Sequence, residues 1–225
     1  IEFKPETAII QSYDSIWSHG IHPHVEGFSA DNMQMSIYDV LFNQGIGTEF
    51  VSPEETLKNY RVVFAPALNV ADQAVHDHLM EYVKEGGSLV LTYRSGIRTE
   101  NNTMYPLPAP GIFADLVGAT AEDFDPQAGR SVSVTGVFGD TKAQVWCDVM
   151  KTDSADTLGI YAGQYYRGKP AVTVNKVDKG NVYYLGCDLE REALRNFLEY
   201  VLEKAEVSNP FTKALPDIEI TEAHD

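Results

Sequence analysis

The turn that follows the apolar segment Ser88–Thr92 is the first place where the sequence could hold a catalytic group. Enzymes that use a covalent intermediate place a Cys or Ser on a sharp strand-to-helix turn, with a histidine and a carboxylate nearby. Here residues 93–96 read Tyr-Arg-Ser-Gly, so Arg94 stands at the position of the nucleophile, and no histidine is placed near Ser95. We therefore predict no catalytic residue and expect Arg94 to bind a carboxylate or a backbone carbonyl at an interface.

The sequence has two cysteines, Cys147 and Cys187. Two thiols in 225 residues do not form a disulfide framework, which favours a reducing, cytoplasmic location. Cys187 lies between a predicted strand and a predicted helix, whose N-terminus could lower the pKa of the thiol. A functional thiol at Cys187 is therefore one hypothesis. Buried, unreactive thiols are the usual outcome, and we predict them for both cysteines.

Three histidines, His19, His22 and His24, follow the first predicted strand. Open α/β sheets bind ligands at the carboxyl ends of their strands, so these side chains could offer two ligands to a metal ion. Their spacing fixes no third ligand, so we predict no metal and no cofactor, and we favour contacts between this loop and a neighbouring domain. His76 and His78 lie two residues apart on a predicted helix and are expected at the surface.

Asp14 and Trp17 follow the same first strand. An exposed tryptophan beside a carboxylate could stack on a sugar ring, or it could pack against another domain or subunit. We therefore name Asp14, Trp17, His22 and Arg94 as candidates for a substrate-side or interface loop. The acidic pairs elsewhere show no spacing that would bring two carboxylates together in a pocket.

The charge balance excludes several classes of partner. Lys and Arg number 17 against 33 Asp and Glu, which gives a net charge of -16. Nucleic acids and anionic membrane surfaces need basic patches, so we expect neither as a partner. No apolar run approaches the roughly 20 residues of a membrane span, and no basic-then-apolar leader opens the sequence. Hydrophobic residues make up 44% of the chain, enough for a sizeable core.

The spacing of apolar residues predicts alternating strands and helices. Polar or glycine-rich loops are expected at residues 14–29 and 97–110. The last helix is predicted to begin with Asp188 as its cap. Predicted helices cover residues 31–43, 71–84, 110–116 and 188–204, and predicted strands cover residues 7–13, 48–51, 61–65, 88–92, 131–135, 145–148, 157–161, 171–174 and 182–186.

This order is typical of a parallel sheet that carries helices on both faces. We therefore predict an α/β fold, a three-layer sandwich with a mostly parallel sheet. The short strands between residues 131 and 175 are expected to form a small antiparallel β insert.

Several segments, taken in order, resemble one known family. They are Tyr-Asp-Ser-Ile-Trp at 13–17, Tyr-Arg-Val-Val-Phe-Ala-Pro at 60–66, Gly-Lys-Pro-Ala at 168–171 and Tyr-Tyr-Leu-Gly at 183–186, together with the run 82–96. That run contains Gly-Gly at 86–87 and ends with Arg-Ser-Gly at 94–96. In this order, over roughly residues 7–206, the chain resembles the middle, trimerisation domain of glycoside hydrolase family 42 β-galactosidases. The stretch 86–96 is the most specific part of the resemblance.

The resemblance implies a position within a longer enzyme. Such enzymes begin with a TIM barrel that holds the two glutamates cleaving terminal β-galactosides with retention, and they end with a small antiparallel β domain. Residues 1–6 would then be a linker from the barrel, residues 7–206 the trimerisation domain, and residues 207–225 an acidic tail in which 218–220 start the last domain. The middle domain of this family resembles class I glutamine amidotransferases in fold, and we expect a sandwich of flavodoxin-like or amidotransferase-like type.

These implications lead to expectations about the chain. Its partners would be its own barrel and C-terminal β domain, and two further copies in a homotrimer. We expect no β-galactoside hydrolysis by these 225 residues alone, weak or absent trimerisation without the barrel, and poor order or pairing with a neighbour beyond about residue 208. The alternatives are a free-standing amidase or hydrolase on an amidotransferase-like fold, and a galactoside-binding module that uses Trp17.

Overall fold

The computed structural model describes residues 2–208 and 223–224. Its helices fall close to the predicted positions, with one addition near the N-terminus. A short 3-10 turn, Gly111–Phe113, leads into the fourth helix. The helices are α1 (Tyr13–Ile21), α2 (Ala30–Asn43), α3 (Gln73–Lys84), α4 (Ala114–Val117) and α5 (Arg191–Lys204).

The strands include all nine that the sequence predicts. The further strands are polar or only two residues long. The strands are β1 (Glu2–Phe3), β2 (Thr7–Ile10), β3 (Thr48–Val51), β4 (Val62–Ala65), β5 (Ser88–Thr92), β6 (Ala119–Pro126), β7 (Val132–Gly136), β8 (Gly139–Ala143), β9 (Trp146–Thr152), β10 (Asp156–Tyr161), β11 (Pro170–Val177), β12 (Gly180–Leu185) and β13 (Ala223–His224).

One sheet of nine strands organises the described part of the chain, in the order β3-β2-β4-β5-β12-β11-β10-β7-β8. The first five strands of this order pair in parallel, and the others pair antiparallel. The sheet is therefore mixed. The antiparallel strands continue the main sheet beyond β12, so the prediction of a separate small insert was wrong. The reason is that β11 hydrogen-bonds to the edge of β12 that the parallel strands leave unpaired. Of the strands predicted for the insert, β9 lies outside this sheet and pairs with β6.

Helices cover both faces of the sheet, as the predicted three layers require. Alternate residues of the central strands point to opposite sides, so that Phe64 belongs to one apolar cluster and Val63 to the other. The first cluster includes Leu41 of α2 and Phe197 of α5. The second includes Leu79 of α3 and the residues around α4. Burial on both faces explains why β4 and β5 are continuous apolar runs.

Helix α1 lies where the sequence predicted a loop. It begins after Ser12, whose Oγ accepts a hydrogen bond from the backbone N–H of Ser15 at 3.2 Å. Its buried residues are Ser15, Ser18 and His19, whereas large apolar side chains such as Trp17 are exposed. The loop prediction was wrong because this helix inverts the usual amphipathic pattern.

The last helix also begins later than predicted. Its N-cap is Glu190, so the prediction that Asp188 caps it was wrong. The carboxylate of Asp188 instead binds backbone N–H groups of the segment that enters β9. The strand predicted at residues 218–220 lies outside the described residues, as does most of the tail. Near the end of the tail, Ala223 and His224 form β13, which pairs with β1.

His76 is buried, which corrects the prediction that it lies at the surface. Its Nε2 is 2.9 Å from Oδ1 of Asp115, and its Nδ1 is 2.9 Å from Oδ1 of Asp77. Burial lowers the pKa of His76, but the hydrogen bonds to the two carboxylates outweigh it and raise the pKa above 6.5. The imidazolium therefore links α3 to α4.

Replacing His76 by Asn should remove a stability contribution that depends on pH. Because the folded pKa lies above the unfolded one, the contribution is complete below about pH 6.5 and is lost as the pH rises through the folded pKa. Urea unfolding across this range should show the gap between wild type and variant closing as pH rises. Asp115→Asn should flatten the same profile, and parallel curves for wild type and His76→Asn would contradict the prediction.

Candidate functional site

The segment after β5 turns sharply at the carboxyl end of the parallel strands. Arg94 adopts a positive φ of 67°, a conformation that costs energy for a residue with a side chain. The turn is fixed on both sides: Thr92 Oγ1 accepts a hydrogen bond from the N–H of Ala67 at 2.8 Å, and the N–H of Gly96 donates to the carbonyl of Leu68 at 2.8 Å. The predicted sharp turn is therefore present, with an arginine at its tip.

The guanidinium of Arg94 lies over the indole ring of Trp146, 4.9 Å from its centroid, and the residue is only 9% exposed. Asp148 is buried nearby and accepts two hydrogen bonds of 2.7 Å, from Trp146 Nε1 and from the hydroxyl of Tyr184. Burial lowers the pKa of Arg94 to about 10, with Asp148 acting against the shift. Burial also raises the pKa of Asp148. The two side chains thus offset each other's charge in the interior.

Buried polar atoms without a partner concentrate around this turn. They include Nε and Nη2 of Arg94 and Oγ of Ser95, and both ring nitrogens of His19. Oδ1 of Asn69 and Nε of Arg98 belong to the same corner. Native proteins leave few such atoms unpaired, and ordered water is one of the groups that satisfies them.

No nucleophile in this corner has a base. The hydroxyl of Ser95 is buried without a hydrogen-bond partner. Cys147 and Cys187 are both buried, which confirms the sequence-based expectation. Burial raises the pKa of Cys147 to about 12 and also raises the pKa of Cys187 well above its ordinary value, so both thiols are protonated at neutral pH. The hypothesis of a functional thiol therefore has no support in the geometry.

The three histidines of the first segment do not converge. His19 is buried against Phe28, and burial, followed by the charge of Arg94, lowers its pKa to about 3. His22 and His24 are exposed, with ring centroids 4.1 Å apart. Within residues 2–208, no three His, Cys, Asp or Glu side chains are grouped so that they could hold a metal ion.

Helix α1 presents an apolar stripe to solvent. Trp17 is 63% exposed, and Tyr13 and Ile21 are also more than half exposed, one turn before it and one turn after it. Asp14 is exposed in the first turn of the same helix. On its inner side, Ser18 Oγ donates to Asn102 Oδ1 at 2.8 Å and accepts from Asn69 Nδ2 at 2.9 Å. The first bond fixes α1 against the loop that follows Arg94, and the second fixes it against the segment that follows β4.

A cavity of about 270 Å³ opens beside Arg94. Asp148 and Trp146 line its inner part. Its rim carries three exposed apolar side chains, those of Met104, Leu107 and Phe124.

Of the four candidate residues, only Arg94 lines this cavity. Asp14 and Trp17 lie on the outer side of α1, and His22 follows its last turn. Asp148 and Trp146 were not predicted as site residues; they reach Arg94 from β9, more than fifty positions along the chain.

These features define a class of protein: a mixed α/β domain whose strand tips carry a buried arginine and an exposed apolar surface, with no Ser or Cys side chain hydrogen-bonded to a histidine among the described residues. The chain belongs to the β-galactosidase trimerisation domain family, whose model matches residues 5–208. None of the helices in the described part of the chain combines the length and apolar character that a membrane span requires.

Curated relatives carry the same domain inside longer chains. The β-galactosidase BgaA of Clostridium cellulovorans is 32% identical over 212 residues, which cover 94% of this chain and 32% of the relative. The β-galactosidase BglY of Alicyclobacillus acidocaldarius is 32% identical over 226 residues, 96% of this chain and 33% of the relative. The chain thus spans about one third of the length of these relatives.

Solved structures agree with the fold. The β-galactosidase from Bacillus circulans sp. alkalophilus superposes with a TM-score of 0.88 at 26% identity and covers 92% of this chain and 32% of that one. The enzyme from the Antarctic haloarchaeon Halorubrum lacusprofundi gives a TM-score of 0.88 at 28% identity, over 96% of this chain and 32% of that one.

Proposed function

We propose that this chain is the non-catalytic assembly domain of a longer β-galactosidase that cleaves terminal β-D-galactosides as a homotrimer. One observation carries the proposal: the strand-tip turn holds Arg94, which stays protonated at neutral pH and therefore offers neither a base nor a nucleophilic atom. A rigid sheet covered by helices on both faces is well suited to holding other domains in position. The curated relatives are β-galactosidases about three times as long.

In this proposal the catalytic glutamates lie in an N-terminal TIM barrel, and a small β domain follows. Residues 1–6 connect to the barrel, residues 7–206 form the assembly domain, and residues 207–225 lead to the last domain. The protein works in the cytoplasm without a cofactor. Asp14, Trp17, His22 and Arg94 serve as contacts to other domains or subunits, because α1 and the Arg94 turn lie at the same end of the sheet.

The same proposal includes a flavodoxin-like or class I amidotransferase-like fold. When the parallel strands are numbered along the chain, the order β3-β2-β4-β5-β12 reads 2-1-3-4-5, which is the flavodoxin-like order. The positive φ of Arg94 after the fourth of these strands supports the amidotransferase comparison, since such folds place their nucleophile on a strained turn at a strand end.

The purified 225-residue chain is expected to show no turnover of a chromogenic β-galactoside. The longer gene product that contains it should cleave the same substrate and should have the mass of a trimer by light scattering. Deleting residues 5–208 from the longer protein should give a monomer, with the retained barrel as the folding control by circular dichroism. Turnover by the isolated chain, or a trimer that persists after the deletion, would show the proposal to be wrong.

A further inference from the structure

We propose that a cavity at the amino ends of the parallel strands binds a multivalent oxyanion of the phosphate or sulfate type. The cavity has a volume of about 490 Å³, which falls in the usual range for small-molecule sites. Among its lining residues, Arg61 precedes β4, Ser88 begins β5 and Asn181 lies near the start of β12. The cavity therefore lies at the opposite end of the sheet from the Arg94 turn, so binding there is independent of the assembly function.

Positive charge gathers in this cavity although the chain as a whole is acidic. Lys and Arg number 17 in a chain of net charge -16, and five of these 17 residues line the cavity. The acidic residues in the lining are Glu85 and Glu206. The lining thus carries more positive than negative charge, the reverse of the chain. The five cations are Lys58, Arg61, Lys176, Lys179 and Lys204.

The charge of Arg61 is already matched by carboxylates. Its Nε lies 2.8 Å from Oε1 of Glu6, and its Nη1 lies 3.7 Å from Oε2 of Glu206. In the lining, four lysines therefore remain against the carboxylate of Glu85. An anion bound among these ammonium groups offsets their mutual repulsion.

The negative ends of the neighbouring helices explain only one of these lysines. Lys204 lies in the last turn of α5, where a cation offsets the partial charge of the helix C-terminus. Its ammonium also lies over the ring of Tyr200, 5.5 Å from the centroid. The other three come from outside the helices: Lys58 from the loop before β4, Lys176 from β11 and Lys179 from the turn that follows β11. Separate segments of the chain thus bring ammonium groups to one cavity.

Hydrogen-bond donors in the cavity are left for a ligand. Lys176 Nζ donates to the backbone carbonyl of Lys179 at 2.6 Å, which leaves its charge unmatched. The ammonium groups of Lys58 and Lys179 make no hydrogen bond or ion pair with the residues that the structure describes. Ser88 is 3% exposed and lines the cavity, and its hydroxyl has no partner among the same residues. An oxyanion accepts from ammonium and hydroxyl groups together, and its charge strengthens each bond.

The lining favours a small ion over a protein partner. Protein interfaces are enriched in aromatic and other large apolar side chains at their centre. None of the large apolar side chains that are exposed in the described part of the chain lines this cavity. Its aromatic residues are Tyr82, which is 6% exposed, and Tyr60, whose hydroxyl donates to Glu49 at 2.8 Å. The accessible surface of the cavity is therefore charged and polar.

Isothermal titration calorimetry of the 225-residue chain with pyrophosphate, at constant ionic strength, tests the site. Saturable binding with a Kd below about 1 mM is expected. Changing Lys58→Ala and Lys179→Ala together should raise the Kd at least about tenfold, because both unpaired ammonium groups are lost. Both side chains are exposed, so this double variant should unfold at the same urea concentration as wild type.

A matched control removes the same charge elsewhere. Lys142 and Lys151 are exposed on β8 and β9, outside the cavity, and changing both to Ala should alter the Kd less than about twofold. Ser88→Ala is a smaller change within the site and should raise the Kd about threefold, since it removes one hydrogen bond. Equal Kd values for the two double-lysine variants would overturn the proposal.

A comparison of ligands distinguishes the sources of the oxyanion. Inorganic phosphate, sulfate and pyrophosphate represent free ions, and a hexose phosphate represents an organic ester; the tighter-binding group identifies the source. A glutamate-rich peptide that binds more tightly than all of them would overturn the assignment to a small ion. So would the absence of saturable binding by any of these ions at millimolar concentration.

Discussion

Replacing Gly111 by Ala is expected to destabilise the chain by about 3–5 kcal/mol, which is a large part of the stability of a domain. Gly111 has a φ of 59°, which already strains any residue with a Cβ. The added Cβ would lie 2.0 Å from the carbonyl oxygen of Gly96 and 2.8 Å from its carbonyl carbon. That carbonyl cannot move away freely, because it accepts a hydrogen bond from the N–H of Ile112 at 3.0 Å. Urea unfolding followed by circular dichroism measures the loss.

A matched variant separates the clash from the backbone strain. Gly129 also has a positive φ, of 85°, but a Cβ there would meet nothing within 4 Å. Gly129→Ala should therefore cost only about 1 kcal/mol. Equal losses for the two variants would mean that the approach between Gly111 and Gly96 does not matter. A larger loss for Gly111→Ala than for Gly129→Ala would show that the close approach of Gly111 to Gly96 stabilises the fold.

The sequence was most informative where one physical effect dominated. The strand β5 is a continuous apolar run bounded by glycines and a turn, and its observed limits match the predicted ones, Ser88–Thr92. Helices α3 and α5 have apolar residues at helical spacing, because each buries one face against the sheet. Local pattern and tertiary packing agree in these elements.

Strands with many polar residues were not predicted from the sequence, because they lack an apolar pattern. Strand β6 contains Glu122, Asp123 and Asp125 and was not predicted as a strand. Two of these acids bind tyrosines from a distant turn: Asp123 accepts from Tyr165, and Asp125 accepts from Tyr166 at 2.7 Å. Such pairings depend on residues about forty positions away, so no local pattern reveals them.

Only part of the Arg94 site was predicted, because the rest of it also depends on residues distant in the sequence. The turn and its arginine could be read from one short stretch, because a strand end followed by a glycine is a local signal. The residues that determine the environment of Arg94, Asp148 and Trp146, arrive through the pairing of β9 with β6. The burial and the unpaired donors of the guanidinium follow from that long-range arrangement.

Asp188→Ala is expected to cost about 3 kcal/mol or more, because it removes a carboxylate that holds three backbone N–H groups. Oδ2 accepts from Gln144 at 2.8 Å, and Oδ1 accepts from Val145 at 2.8 Å and from Trp146 at 3.0 Å. The segment they belong to enters β9 and places Trp146 beneath Arg94, so its loss should also loosen the cavity. Urea unfolding measures the first effect, and amide hydrogen exchange at 144–146 measures the second.

Asp188→Asn is the graded control for this prediction. It keeps one carbonyl oxygen, which can still accept from Val145 and Trp146, and replaces only the acceptor for Gln144. The expected loss is roughly half that of the Ala variant, since the amide oxygen is a weaker acceptor than a carboxylate. Exchange should accelerate most at the amide of Gln144. If Ala and Asn variants were both as stable as wild type, Asp188 would not be the residue that anchors the start of β9, and the rigid placement of Trp146 under Arg94 would need another cause.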